Sequence, residues 1–262
     1  MIKRELLLNK NIFLIFSLII FCMIVGVSFI YPSIIDSNAN IDEMIKVFPK
    51  EFLEAFNMDI ISLSKFFGWL ATEGYLFLQL LSGSLFAIIG STILLKEKND
   101  HTIDFLAVKP ITKNKIITNK LLSGIIYILI FTILTFISVL IGLQINNEMN
   151  LKNCLFISIN IMLLNLFIYI LSFFISLFFK KTTQGISAGI GILMFMYLLN
   201  ILATLSKKLK YLKYFSIFYY TDSKIIVLDN KLDLCNISVI LLSSIIVCIL
   251  SYILYNKQET GI

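Results

Sequence analysis

Polar and apolar positions alternate along this chain on a coarse scale, long uncharged stretches set between short charged ones. Apolar runs fall at residues 11–31, 74–95, 121–143, 154–179, 184–205 and 237–255. Each has about the 20 residues that a helix needs to cross the hydrocarbon of a bilayer. The pattern predicts an all-α membrane protein with six transmembrane helices. Lys3, Arg4 and Lys10 precede the first run, as they would in a signal peptide. That run is longer than a usual h-region, however, and the SFIYPS that closes it is a poor small-x-small cleavage site. It is therefore read as a retained anchor.

The intervals add shorter elements. Between the first two runs, residues 32–73 read as amphipathic outer-loop helices. Ile41, Met44, Ile45 and Phe48 share one face, and Pro49 suits the first turn of a second helix with Phe52, Leu53 and Phe56 apolar. Such helices would lie along the outer interface, as a lid over the span ends or as an outer gate. The segment YLKYFSIFYY before the last run suits an aromatic belt at headgroup level. No repeat, low-complexity tract or flexible linker divides the chain, so residues 1–262 read as a single transmembrane domain.

Composition agrees with the pattern. Of 262 residues 58% are hydrophobic and 15% charged, against about a quarter charged in an ordinary soluble domain. Charge also sets an orientation. With the N-terminus inside, the tail 1–10, the link 96–120, the turn KKTTQ and the C-terminal NKQETGI carry more than twice as many Lys and Arg as Asp and Glu, whereas the outer parts are balanced. The positive-inside rule then places both termini in the cytoplasm and the protein in the cell membrane. The lysine-rich loop 206–236 is the exception. A re-entrant fifth segment around GISAGIGI would put it inside instead.

Several chemistries are missing. No Asp, Glu, Lys or Arg falls in the central portion of any run, which argues against the proton- and sodium-coupled carriers and voltage sensors that use such groups. The lone histidine, His101, lies in a polar link, and there is no H-E-x-x-H and no phosphate-loop G-x-x-x-x-G-K-[ST]. The chain reads as a non-enzyme, with no catalytic, metal or cofactor residues, and nothing in it suggests nucleic-acid binding. Gln79, Asn160, Asn165 and Asn200 sit inside runs, where helix-to-helix hydrogen bonds worth about 0.6–2 kcal/mol each are their expected role. Gly83 with Gly90, and Gly185 with Gly189, predict close backbone approach, within the chain or against a second copy. Cys22, Cys154, Cys235 and Cys248 show no metal spacing and read as free thiols. Cys154 and Cys235 share the outer face, which leaves a disulfide between them open.

The stretch LLKEKNDHTIDFLAVKP, residues 94–110, interrupts the apolar pattern most sharply. Asn99 or Asp100 caps a short helix with Ile103, Phe105 and Leu106 on its apolar side, and Pro110 ends it. Thr112 then caps the helix that runs into the third span. The short helix either lies on the inner leaflet, its lysines on anionic lipid, or acts as a lever in the groove of a cytosolic partner.

The run EKNDHTIDFLAVKPITKNKIITNKLL resembles the cytosolic signature of the ATP-binding-cassette (ABC) type-2 permeases, with Glu97, Thr102, Leu106 and Pro110 at matching positions. His101 stands where glycine is usual, and Thr112-Lys113 where Ser-Arg is common. The resemblance extends over the chain, from Glu5 in the basic N-terminus through FPKEFLEAF and YFSIFYYTDSKII to the polar C-terminal tail. It implies a permease subunit of an exporter of hydrophobic or amphipathic compounds. Such a subunit pairs with a second permease subunit, identical or paralogous, and is surrounded by membrane lipids. Cytosolic ABC ATPase subunits bind the ATP and dock on a short cytosolic coupling helix. The coupling residues carried over are Glu97, Thr102, Ile103, Phe105, Leu106 and Pro110, with Glu97 expected to pair with a basic group of the partner or with Lys3, Arg4 or Lys10. A membrane scaffold or sensor that anchors a cytosolic regulator is the alternative.

Overall fold

In the computed structural model, residues 2–36, 66–99, 112–223, 226 and 231–257 are described. Among the described residues six helices are long and apolar enough to cross a membrane. They are α1 (Ile2–Asp36), α3 (Tyr75–Asn99), α4 (Lys113–Ile145), α5 (Leu151–Ser176), α6 (Thr182–Leu205) and α8 (Leu234–Lys257). Short elements fill the intervals. A four-residue α2 (Phe66–Trp69) widens into a π-helical turn (Leu70–Gly74) that feeds α3. A 3₁₀ helix (Lys207–Phe215) and a four-residue α7 (Ile217–Tyr220) follow α6. Among the described residues there is no strand.

The helices overrun the apolar runs. α1 begins nine residues before its run and α4 eight, because hydropathy measures only the hydrocarbon depth while backbone hydrogen bonding carries the helix on through the polar flanks. Thr112 stands at the N-cap of α4 in extended backbone, as expected, but its hydroxyl makes no capping bond; its carbonyl accepts from Lys115 and Ile116 instead. Asn150 does cap α5, its side chain accepting from the Lys152 and Asn153 amides. The tight turn between α4 and α5 uses Asn147 at φ 57°, a left-handed conformation that asparagine tolerates.

Burial ranks the spans. The apolar window of α3 is 78% buried and that of α5 61%, against 17% for α6 and α8, so α3 and α5 form the axis around which the others pack. Small residues permit that axis. An added Cβ at Gly90 of α3 would stand 2.5 Å from the Tyr169 carbonyl oxygen of α5, which is backbone and cannot swing aside. Ser91 of α3 donates to the Gly185 carbonyl of α6, and Gly189 faces Ser91 and Ala87. Of the glycines expected to bring backbones together, Gly90, Gly185 and Gly189 do so within the chain, whereas Gly83 faces the Leu193 and Leu164 side chains.

α6 is a continuous helix. Its start lies against Leu95 at the link end of α3, and the loop beyond its end bonds Gln79 and Asn160 at the opposite end. The re-entrant alternative is thereby excluded, and loop 206–236 emerges at the end away from the link. All four cysteines are free thiols, Cys154 buried and Cys235 exposed. The expected amphipathic helices with Ile41, Met44, Ile45, Phe48, Phe52, Leu53 and Phe56 lie outside the described residues.

Gly90→Ala is expected to push α3 from α5 at a cost of about 1–3 kcal/mol, read as a lowered thermal midpoint of the purified protein. Gly26→Ala, which meets nothing within 4 Å, leaves the midpoint unchanged.

Candidate functional site: a buried polar clamp beside the link

Glu5 lies in the first turn of α1, where a carboxylate is favoured by the exposed amides and the positive end of the helix dipole. Lys120 lies two turns into α4. The two meet: Lys120 Nζ is 3.1 Å from Glu5 Oε1, with side chains only 1% and 5% exposed. Lys120 also donates to the carbonyl of Ile93 near the end of α3, using the second lone pair that a helical carbonyl keeps after accepting the N–H of the following turn. One ammonium thus joins the starts of α1 and α4 to the end of α3.

Further bonds close around it. Tyr169 of α5 donates its hydroxyl to the Lys120 carbonyl at 2.9 Å. Tyr127 of α4 donates to the Leu6 carbonyl of α1, and Lys96 of α3 donates to the Leu8 carbonyl at 3.3 Å. Gly124 makes room for the phenol, since a Cβ there would overlap the Tyr169 ring. α8 is drawn in as well, with Thr118 and Tyr252 hydroxyls 2.8 Å apart and Asn256 donating to Asn114 at 2.7 Å. These bonds tie five of the six spans at one end of the bundle, and the Ser91 bond to the Gly185 carbonyl ties α6 at the same end.

That end carries the link. Glu97 falls in the last turns of α3, one turn beyond Ile93; its side chain, and with it the expected pairing to Lys3, Arg4 or Lys10, lies outside what is described. Thr102, Ile103, Phe105, Leu106 and Pro110 lie outside the described residues too. What the sequence reading missed is the pair itself. It placed Glu5 among features of a basic tail and counted Lys120 only as an inner cation. A usable signal existed, because Glu5 is followed by Leu6, Leu7 and Leu8 and Lys120 stands directly before the run that opens with Leu121 and Leu122, and ionisable groups set among apolar residues at a membrane are found paired.

A second polar cluster sits at the far end. A helix end leaves its last carbonyls without intrahelical partners, and that of Thr221, the C-cap of α7, accepts three donors: Tyr75 at 2.9 Å, Gln79 at 3.0 Å and Asn160 at 3.0 Å. Gln79 and Asn160 were expected to bridge helices, and they bridge α3 and α5 through this carbonyl. Ser223 donates to the Ala71 carbonyl in the wide π turn. Glu148 accepts from the first two amides of α2, Phe66 and Phe67, both at 2.9 Å, and so caps that helix from the end of α4. Asn165 departs from expectation, fully buried with neither amide atom bonded. Among the described residues no group of three or more His, Cys, Asp or Glu is placed to hold a metal.

Comparison with protein families matches the description "ABC-2 family transporter protein" to residues 4–260. Neither the curated proteins nor the solved structures give a match.

Losing one partner of the clamp strands a buried charge. Lys120→Met or Glu5→Leu alone is expected to destabilise by about 3–5 kcal/mol, and the two together to recover most of that, measured by thermal unfolding in detergent. At the far end, Gln79→Ala with Asn160→Ala leaves the Thr221 carbonyl with one side-chain donor in place of three. A cysteine introduced at Ser223 in that background is expected to react with a water-soluble maleimide several-fold faster than in the parent.

Proposed function

Because the chain belongs to the ABC-2 transporter family, a family of membrane transport permeases, we propose that it is the permease subunit of an exporter, driven by ATPase subunits on separate chains. In this reading two permease subunits, identical or paralogous, enclose the path, and each docks one cytosolic ATPase on the link between α3 and α4. The termini and the link then face the cytoplasm, in keeping with the excess of Lys and Arg at that end. Spans without central charges suit a hydrophobic or amphipathic cargo.

The observation that carries the reading is the clamp. An ATPase pair closing on ATP does work on the membrane helices only through stiff connections. The flanks of the link are Ile93–Asn99 and Lys113–Lys120, and Lys120 bonds directly to Ile93 and to Glu5. A displacement of the link is therefore delivered to α1, α3 and α4 together. Tyr169 passes it to α5 through the Lys120 carbonyl. Without the clamp, the same displacement would spread α4 from α3 and dissipate at the near end. Glu97, Thr102, Ile103, Phe105, Leu106 and Pro110 are the residues assigned to contact the ATPase.

The test is isolation of the protein from its native membrane. A Walker-motif ATPase is expected to accompany it, and Phe105→Asp with Leu106→Asp is expected to lower the ATP hydrolysis recovered with the permease by at least about tenfold while the permease itself still folds. Stable association with a different cytosolic protein, with no ATPase, would favour the scaffold instead.

A further inference from the structure

The 3₁₀ helix Lys207–Phe215 is confined by its neighbours. The residue before it but one, Leu205, ends a membrane span, and the residue after it, Ser216, is buried in the bundle at 1% exposure. Both ends are anchored, so the nine residues between cannot leave the boundary of hydrocarbon and water. At about 2 Å rise per residue the element is roughly 18 Å long, the width of several lipid headgroups.

Three residues per turn place i and i+3 in register. Leu209, Leu212 and Phe215 form one row, Lys208, Tyr211 and Tyr214 the next, and Lys210 and Lys213 share the third. The exposure is unusual for such residues: Tyr211 is 77% exposed, Phe215 71% and Tyr214 53%. In water this apolar surface would be costly. At a bilayer boundary it is the surface of an interfacial anchor, with aromatic rings at headgroup depth and lysine stems reaching up to the phosphates.

The lysines decide which lipid. Lys213 is held within the protein, its Nζ 3.2 Å from the Tyr219 hydroxyl, 4.3 Å from the centroid of that ring and 5.0 Å from that of Tyr214. Tyr220 donates to the Tyr214 carbonyl and fixes the same corner. Lys208 and Lys210 are exposed, and among the described residues neither has a carboxylate partner. No Asp or Glu occurs in the sequence between Glu148 and Asp222, so neither the 3₁₀ helix nor the span that leads into it carries an acidic residue.

We propose that the Lys207–Phe215 helix is a docking surface for anionic phospholipid headgroups, with Tyr211, Tyr214 and Phe215 seated at the glycerol level and Lys208 and Lys210 on the phosphates. The inference does not rest on the transport reading, nor on which leaflet the helix faces. It gives Lys208 and Lys210 a countercharge in the membrane itself. Attraction of this kind falls away within a Debye length and weakens with salt.

The experiment uses the full chain in vesicles of equal parts phosphatidylcholine and phosphatidylglycerol, one or the other carrying brominated acyl chains. Tyr211→Trp supplies the reporter, and the parent protein, whose single tryptophan is Trp69, supplies the background. Brominated phosphatidylglycerol is expected to quench the introduced indole at least about twofold more than brominated phosphatidylcholine. The ratio should fall to one at molar salt, where the Debye length is about 3 Å, and in Lys208→Gln with Lys210→Gln. Equal quenching at low salt would overturn the proposal, as would no quenching by either lipid or a preference indifferent to the lysines. Phe215→Trp repeats the measurement should the first reporter fail to fold.

Discussion

A lysine and a glutamate shut away from water determine how this bundle is held at one end. Charges removed from water survive only when paired and fully hydrogen-bonded, and Lys120 meets the requirement by bonding Glu5 and the Ile93 carbonyl together. Satisfying one ammonium therefore demands a single placement of three helices. α1 and α4 cannot rotate or slide against α3 without exposing a charge to hydrocarbon. The Tyr169 phenol enters because Gly124 leaves it space and the Lys120 carbonyl offers an acceptor, which brings the central helix α5 under the same constraint.

The opposite end is held differently. There the donors on the shared carbonyls are neutral, and the charged groups Glu148, Lys213 and Asp233 bond neutral partners. The recurring acceptors are backbone carbonyls left over by short or widened turns, Thr221 after α7 and Ala71 in the π turn. Neutral bonds of this kind contribute about 0.5–1.5 kcal/mol each, well below the cost of separating a buried ion pair. The bundle thus has a stiff end at the link and a softer end away from it. On the proposed reading, with ATPases docked at the link, the rigid end would receive the stroke and the other end would yield.

Much of this was legible in advance. Six apolar runs gave six spans in the right order, and the positions of Gly90, Gly185 and Gly189 pointed to close approach that the packing bears out. The family, too, was legible from Glu97, Thr102, Leu106 and Pro110 in the link, and the match over residues 4–260 agrees. The helix ends were less legible. Ile2 and Lys113 begin their helices well outside the apolar runs, because a hydropathy count stops where polar side chains start and the backbone does not. Gln79 and Asn160 were recognised as residues that bond between helices, but their shared acceptor was not legible, since the Thr221 carbonyl is far away in sequence and is left over only at the C-cap of α7.

The division follows from what each kind of information measures. Membrane insertion sums over neighbouring residues, so a local count along the chain was enough to establish that this protein is a six-span helical membrane protein. The partner of Lys120 lies 115 positions away, and their meeting depends on the rotation and vertical register of α1 and α4 against α3. No local average carries rotation or register. Tertiary packing alone decided that Glu5, otherwise one acidic residue in a basic tail, would be the counterion at the base of the link.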